Sequence, residues 1–330
     1  MIWRLSVLVF LGAVLLAGTS IFFGVRAIPP SVVIAAFTSF DATDTDHLII
    51  RELRIWRALA VLLCGGALGV AGALMQVLAR NPLADPGILG VNAGAAFGVL
   101  IGIWGLGLTA PGTLIAPALV GAGIASILVF ALGSGSSKTG PDPVRLVLAG
   151  AALSALFMAL TWALLIVSRQ TLDVYRHWVL GGFAQVDVAD LFALFPIFAA
   201  GFVVSGFAAL MMNPLALGDD TAKALGARVA LARVISIIAI VLLCACSVSL
   251  AGPIAFIGLI VPHLVRPFTY GDVRKLVFGS LIVGAALSAV ADVLGRVLIP
   301  GQEIEAGAMM ALIGGPALIL LVQRSRAVKL

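Results

Sequence analysis

The chain has 330 residues, of which 62% are hydrophobic and only 11% are charged, and its mean hydropathy is +1.20. Apolar runs of about twenty residues recur along it, and runs of that length cross a hydrocarbon core as helices. These runs do not alternate polar and apolar residues, which argues against a membrane-spanning β-barrel, and the net charge of +5 does not indicate a nucleic-acid partner. The composition therefore predicts an all-α integral membrane protein surrounded by membrane lipid.

The apolar runs predict about ten transmembrane helices in a single domain that covers residues 1–330. The first run has no small-residue cleavage site, so we interpret it as a span and not as a cleaved signal peptide. The eighth run is short, and the tenth is interrupted by the sequence GGP at 314–316. The predicted spans are 5–25, 57–78, 87–107, 112–132, 144–167, 190–211, 229–250, 254–267, 274–298 and 304–324.

The distribution of Lys and Arg predicts the orientation of these spans. With the amino terminus inside, thirteen of the twenty Lys and Arg residues fall in inner segments and seven in outer segments. Inner loops of membrane proteins carry the excess of positive charge. We therefore expect both termini on the cytoplasmic side, together with RNPLADPG at 80–87 and NPLALGDDTAKALGARV at 213–229.

Two features of the spans bear on how the helices pack. The similar segments LLCGGALGVAG, from Leu62, and LLCACSVSLAG, from Leu242, lie on spans of opposite direction. They predict an inverted repeat, which is common in transporters, and chance similarity between Leu- and Ala-rich helices is the alternative. Gly65, Gly69 and Ala73 recur at helical spacing, and such a face lets a second helix approach closely in lipid.

The sequence offers little for catalysis or for metal binding. Cys64, Cys244 and Cys246 lie in apolar runs without metal-ligand spacing, so we expect buried small hydrophobic residues and no metal site. The stretch GSGSSKTG at 133–140 lacks the glycine positions of a phosphate-binding loop, and no predicted strand precedes it. We therefore expect no nucleotide site and no catalytic residue in this chain.

Ionisable side chains are almost absent from the predicted spans. Asp292 is the one acid well inside a span, and Arg296 lies four residues on, so the two side chains face each other across one helical turn. A carrier driven by an ion gradient usually needs more buried ionisable groups. An ion-coupled secondary transporter is therefore the distant alternative, and no Ser/His or His/Glu set supports an intramembrane enzyme.

A short helix is predicted between the sixth and seventh spans. Gly218 permits a turn before it, and Gly226 can end it. Asp219 and Asp220 lie at its start, where carboxylates interact favourably with the helix dipole. A helix of about two turns is too short to be stable alone.

The apolar face of this helix indicates what it is for. Leu217, Thr221 and Leu225 are expected on one face, at positions i, i+4 and i+8. We interpret the helix as a rigid knob that docks into a partner's groove. The alternative is a helix lying flat on the membrane, but two acids would then face anionic lipid.

Several long motifs, in one order over residues 50–325, resemble the permease subunits of iron-siderophore and cobalamin ABC importers, the FecCD type. They are most similar to the ferric enterobactin permeases of that family, although Asp142 stands where the pattern has Ser. The motifs are RNPLADPGILGVNAGAAFG at 80–98, PVRLVLAGAAL at 143–153, LGDDTAKALGARV at 217–229, GPIAFIGLIVPHLVR at 252–266 and ADVLGRVLIPGQEIEAGAMMALIGGPALILLVQR at 291–324.

The resemblance implies a ten-helix permease that pairs with a second permease, identical or homologous. Two cytoplasmic ATPase subunits would hold ATP and Mg, so that this chain carries no cofactor of its own. A substrate-binding protein would deliver a ferric siderophore, with cobalamin or haem as the alternative cargo. The implied location is the cytoplasmic (inner) membrane of a bacterium.

The resemblance also implies a role for the short helix. In the family, the segment that matches LGDDTAKALG is the coupling helix, which sits in a cleft of the ATPase. The residues of this chain that would couple to the ATPase are Leu217, Gly218, Asp219, Asp220, Thr221, Ala222, Leu225 and Gly226.

Three further roles follow from the resemblance. Arg54 and Arg296 would bind glutamates of the binding protein, with Arg51 and Arg57 as neighbours that could replace Arg54 and with anchoring of helix ends as the alternative role. Asn81 and Leu83 would form the cytoplasmic gate, or NPLADPG would only reverse the chain. The fifth helix and its outer extension, about 144–183, are expected to line the path.

Overall fold

The computed structural model describes residues 28–134, 142–299 and 301–327, together with Gly18, Ile21, Phe22, Gly24 and Arg26. Most of the first predicted span, 5–25, and most of the GSGSSKTG stretch lie outside the described residues. The helices are α1 (Pro30–Thr38), α2 (Thr45–Leu48), α3 (Ile55–Leu78), α4 (Val91–Leu106), α5 (Ile115–Ser134), α6 (Pro143–Val167), α7 (Arg169–Val179), α8 (Val188–Met212), α9 (Asp219–Ala224), α10 (Val229–Ala251), α11 (Ile257–Val265), α12 (Val273–Val297) and α13 (Ala306–Ala327).

The predicted spans from the second to the tenth all correspond to helices, and apart from the start of the second span their ends shift by up to four residues. Among the described residues, six helical stretches are long and apolar enough to cross a membrane, and α4, α11 and α13 contribute shorter apolar helices. The six stretches are Thr45–Leu78, Pro111–Ser134, Val144–Val167, Val188–Met212, Val229–Ala251 and Val273–Val297.

The centre of the bundle is formed by α3 and α10, whose residues are mostly buried, whereas at most a third of the residues of α5, α6 and α8 are buried. The exposed side chains of the outer helices are large and apolar, as at Leu148, Trp162 and Phe207. Such a surface is stable against lipid or against another membrane helix, and not against water. The fold is therefore that of an integral membrane protein, as predicted.

Small residues set the distances between the tightly packed helices. A Cβ atom on Gly69 of α3 would lie 2.3 Å from the carbonyl oxygen of Ser280 on α12, and one on Gly65 would collide with the same helix. The predicted close approach along this face of α3 is therefore confirmed. The same kind of packing joins α4 to α5, where a Cβ on Gly94 would lie 2.5 Å from the carbonyl oxygen of Gly121.

The two similar sequence segments lie on α3 and α10, which run in opposite directions and pack together. Each of these helices is followed by a largely irregular connection and then by a shorter helix, α4 or α11. The α3–α4 connection packs against the first turn of α11, because a Cβ on Gly258 would lie 2.7 Å from Cδ of Pro86. This is the arrangement of an inverted repeat, and it keeps irregular backbone in contact with protein.

The connections between helices gather at the two ends of the bundle. The α9 end carries α9, the α3–α4 connection and the beginnings of α10 and α12. The α7 end carries α1, α2, α7 and the α12–α13 connection. At the α7 end, the backbone N–H of Gly182 donates to the carbonyl of Ala251 at 2.7 Å and that of Gly307 donates to Gly181 at 2.8 Å, which joins α7 to the α10–α11 connection and to α13.

Two segments at the α7 end differ from the sequence prediction. A π-helical segment, Ile49–Arg54, joins α2 to α3, so the helix of the second span begins at Thr45 and not at residue 57. The extension of the fifth helix is a separate helix, α7, because Ser168 is extended and caps it by accepting a hydrogen bond from the backbone N–H of Thr171. These stretches are polar or short, so a search for span-length apolar runs does not find them.

Candidate functional sites at the two ends of the bundle

The conformation of two glycines delimits α9. Gly218 has φ +107° and ψ 153°, a region that only glycine adopts readily, so the chain turns sharply before the helix. Gly226 has φ +78°. Its N–H bonds to the carbonyl of Lys223, and the N–H of Ala227 bonds to that of Ala222, both at 2.9 Å, which is a Schellman motif. The predicted turn at Gly218 and the predicted end of the helix at Gly226 are therefore confirmed.

The helix α9 is shorter than the predicted apolar face. Leu217 ends a separate 3-10 turn, Pro214–Leu217, and Gly218 divides that turn from the helix. Leu225 is 65% exposed and Ala222 is fully buried. The side chains of Leu217 and Asp219 lie outside the described ones. What α9 offers is an exposed six-residue helix, with Asp220 and Thr221 at the surface.

The segment that leads into α9 is bonded to two other helices. Asn213, which follows α8, donates from Nδ2 to Oδ1 of Asp272 at 3.2 Å, and its Oδ1 accepts from the N–H of Val273 at 2.7 Å. Two residues after the end of α3, Nη2 of Arg80 donates to the carbonyl of Leu215 at 3.3 Å. The sequence prediction did not include these contacts, which join residues far apart in the chain.

The predicted gate residues form the turn after α3. Oδ1 of Asn81 accepts from the N–H of Leu83 at 2.9 Å, and the carbonyl of Asn81 accepts from the N–H of Ala84 at 3.0 Å. Both Asn81 and Leu83 are exposed at the α9 end. These bonds account for the reversal of the chain at this point, and the gating role stays a prediction.

Next to this turn, a buried amide attaches α11 to α3. Nε2 of Gln76 donates to the carbonyl of Leu259 at 3.1 Å, and Oε1 of Gln76 accepts from Arg266 at 2.9 Å. The Gln76 side chain thereby donates to a backbone carbonyl of α11 and also binds Arg266, the basic residue that follows α11.

A network of buried charges ties α3 to α12 at the α7 end. Oδ1 of Asp292 accepts from Nε and Nη2 of Arg57 at 3.0 and 2.7 Å, and Oδ2 accepts from Nη2 of Arg296 at 2.6 Å. Arg57 also binds Glu303 in the α12–α13 connection. The pairing of Asp292 with Arg296 confirms the prediction from their spacing, and Glu303 is the most exposed of the four side chains, at 22%.

The two arginines predicted to dock a partner are both buried. Arg54 donates to the backbone carbonyls of Ile21 and Arg26, and Arg296 is engaged by Asp292. Docking through either guanidinium group would require the α7 end to open. Their docking role therefore stays a prediction.

The sequence prediction treated Arg57 only as a substitute for Arg54 and did not name Glu303. A signal for Arg57 was available, because the predicted spans place it at the same end of the bundle as Arg296 and as Asp292, the one acid well inside a span. Nothing in the sequence indicated Glu303, since its loop has no periodic pattern.

Comparisons with known proteins agree with this geometry. The model of the FecCD transport family matches residues 10–324. The ferric enterobactin transport system permease protein of Escherichia coli is 42% identical over 310 residues, which are 92% of this chain and 90% of that protein. The vitamin B12 import system permease protein of Yersinia enterocolitica is 35% identical over 292 residues, 87% and 85% of the two chains.

A solved structure has the same fold. It is an ABC transporter assigned to the metal-chelate type, in an inward-facing conformation, with a TM-score of 0.84 and 29% identity over 97% of this chain and 99% of that one. The fold and these matches define a multi-pass membrane permease of an ABC importer, of the siderophore and cobalamin type, which is not itself an enzyme. The chain belongs to the FecCD transport family.

Proposed function

We propose that this permease imports a ferric siderophore, of the catecholate, enterobactin-like class, with energy from ATP hydrolysed by partner subunits. The support for this cargo is 42% identity to a ferric enterobactin permease across most of both chains. Cobalamin or haem is the alternative cargo, and the relative that imports vitamin B12 is 35% identical.

The observation that carries the proposal is the exposed helix α9. A six-residue helix fixed by glycines at both ends presents Asp220, Thr221 and Leu225 outside the bundle. A rigid knob of this kind suits a cleft in another protein. Residues Leu217–Gly226 act as the coupling helix, two ATPase subunits receive it and its counterpart, and those subunits hold ATP and Mg.

The orientation follows from the coupling role. The α9 end faces the cytoplasm, together with both termini, and the α7 end faces outward from the bacterial inner membrane. The excess of Lys and Arg in the segments at the α9 end supports this orientation. Asn81 and Leu83, which lie at the same end, form the inner gate, since an exposed apolar side chain beside a turn can close a narrow path by excluding water.

The path runs between this permease and a second one, identical or homologous. Residues 144–183, which comprise α6 and α7, face it. The support is that α6 exposes large apolar side chains along its whole length, including Leu148, Leu156 and Trp162. A bulky complex passes such a surface without binding tightly, because it meets few groups that could hold it.

A substrate-binding protein docks at the α7 end and delivers the cargo. This end holds seven arginines and ten acidic residues, so individual charge pairs at the rim of the interface, and not an overall positive charge, would steer and orient an acidic partner. Arg54 and Arg296 take part once the end opens, and the exposed Arg26 and half-buried Arg51 lie beside them.

Uptake of labelled iron or cofactor tests the proposal. Cells that lack this chain are offered a catecholate siderophore, a hydroxamate siderophore, haem and cobalamin in turn. We expect loss of uptake for the catecholate alone, restored by the intact gene. Loss of uptake confined to cobalamin or haem would identify that compound as the cargo instead. Unchanged uptake of all four compounds would contradict the siderophore proposal.

A further inference from the structure

The short segment before α9 is held by a side chain that bonds in two directions. Asn213 donates to the Asp272 carboxylate at 3.2 Å and accepts from the N–H of Val273 at 2.7 Å, at the first turn of α12. Arg80, from the end of α3, donates to the carbonyl of Leu215 in the same segment. The approach to α9 is therefore attached to α12 and to α3, and not only to its neighbours in the chain.

The bonds of Asn213 need an amide. Hydrogen bonds from Arg274 hold the pKa of the Asp272 carboxyl well below its usual range, so at neutral pH this group is charged and only accepts. Asn213 supplies the donor for Asp272 and also the acceptor for Val273. An aspartate at position 213 would keep the acceptor, lose the donor and place a second negative charge against the first.

The two helices that hold this segment are packed as one unit. Along their contact, Gly65 and Gly69 of α3 lie against Ser280, Gly284 and Ser288 of α12, so closely that any Cβ would collide with backbone or hydroxyl oxygens. Interlocked faces of small residues resist sliding, because every shift brings backbone into contact with backbone. We treat α3 and α12 together as the α3–α12 pair.

The α3–α12 pair also reaches the opposite end of the bundle. Its 25-residue helix α12 is about 37 Å long. At the far end, Arg57 of α3 and Arg296 of α12 share the carboxylate of Asp292. The pair is therefore joined at the α7 end by charge, along its length by small residues, and at the α9 end by the segment Asn213–Leu217.

We infer that Asn213 is the positioning residue through which displacement of α9 moves the α3–α12 pair. This inference rests on the proposed function, in which the ATPase subunits push on α9. A knob at the end of a flexible connection would yield to the push without moving the bundle. Asn213 removes that freedom because it fixes the connection to α12, while Arg80 fixes it to α3.

The test uses the complete importer in proteoliposomes, with ATPase subunits, binding protein and a radioiron-labelled catecholate siderophore. Asn213→Asp should still assemble with the ATPase and hydrolyse ATP, but the cargo moved per ATP should fall at least about tenfold. The exchange Asn213→Asp with Asp272→Asn restores a donor and an acceptor with their places reversed. It should return the ratio to within about twofold of the wild type.

Asp142→Asn is the matched control, because Asp142 caps α6 at the same end of the bundle and does not touch the α9 segment. It should leave the amount of cargo moved per ATP unchanged. A normal ratio in Asn213→Asp overturns the inference, and so does failure of the exchanged pair to restore a low one, which would make Asn213 a purely structural residue. Absence of ATP-dependent transport by the wild-type complex would instead overturn the proposed function, and the inference with it.

Discussion

Asp292 is a single carboxylate that compensates two buried guanidinium groups. Its side chain is 1% exposed, and those of Arg57 and Arg296 are 12% and 4% exposed. Asp292→Asn would keep the shape and remove the charge, leaving Glu303 as the one carboxylate of the network beside two buried cations. Loss of one partner from a buried ionic group costs about 3–5 kcal/mol. We expect a clear fall in the midpoint of thermal unfolding in detergent.

The control for this change is Asp46→Asn. Asp46 pairs with Arg26 at 2.8 Å, but the Arg26 side chain is 61% exposed, so the pair is screened and is worth about 1 kcal/mol or less. Equal shifts of the unfolding midpoint in the two variants would show that burial of the network contributes nothing to stability.

Glu303 is the most exposed side chain of the network and pairs with Arg57. It therefore competes for a cation that could otherwise pair with an acidic group of the binding protein. Glu303→Gln leaves Arg57 paired with Asp292 but removes the more exposed of its two carboxylate partners, and it should raise the association rate of the binding protein with the permease complex. The increase should shrink as salt is added, because screening weakens steering. Binding kinetics at low and at physiological salt measure both effects.

Removing a negative charge anywhere at the α7 end would also attract an acidic partner. Glu52→Gln controls for this, because Glu52 is exposed on the π-helical segment at the same end. If the two variants accelerate association equally, Glu303 acts only through the general field and does not occupy Arg57 in competition with the partner.

At the scale of elements, the contact between α3 and α12 restricts most clearly which residues can occupy a position. A Cβ on Gly69 would lie 2.3 Å from the backbone oxygen of Ser280, and backbone cannot move aside as a side chain can. Gly69→Ala should therefore separate the helices and cost about 1–3 kcal/mol. Gly206→Ala in α8 meets nothing within 4 Å and should be neutral or gain up to about 1 kcal/mol. Thermal unfolding of both variants measures these two changes in stability.

The helix α9 carries the contact with the ATPase in the proposed function. Replacing Asp219 and Asp220 by Lys reverses the charge at its exposed start, where positive groups also oppose the helix dipole. We expect the ATPase to be lost on purification while the unfolding midpoint of the permease is unchanged. An intact complex with normal coupled transport would contradict the coupling role of α9.

Hydropathy predicted the long elements well, because a span of twenty apolar residues leaves few alternatives to a membrane helix. It failed at α1, α2, α7 and the π-helical segment Ile49–Arg54, which are polar or short and are stabilised by tertiary contact. The sequence predicted those features of the site that depend on residues close together in the chain, such as the turn at Gly218 and the helix end at Gly226. The bonds of Asn213 and Arg57 join residues 59 to 246 positions apart, which a single sequence does not indicate.

For the molecule as a whole, the testable quantity is its orientation. The native cysteines Cys64, Cys244 and Cys246 are at most 3% exposed, so a membrane-impermeant maleimide should not reach them. Leu225→Cys should react only in inverted vesicles, and Asp173→Cys on the exposed surface of α7 should react only in intact spheroplasts. The opposite pattern would reverse the orientation and remove the cytoplasmic position of α9.

The short helix α11 has a consequence for how the chain is made. Its nine residues are about 14 Å long, less than half of the roughly 30 Å of hydrocarbon in a bilayer, and the stretch before it is irregular. Released alone into lipid during synthesis, it would leave backbone polar groups without partners. The insertion machinery must therefore retain α10 and α11 until α12 has emerged, and release the three to the bilayer as a single unit.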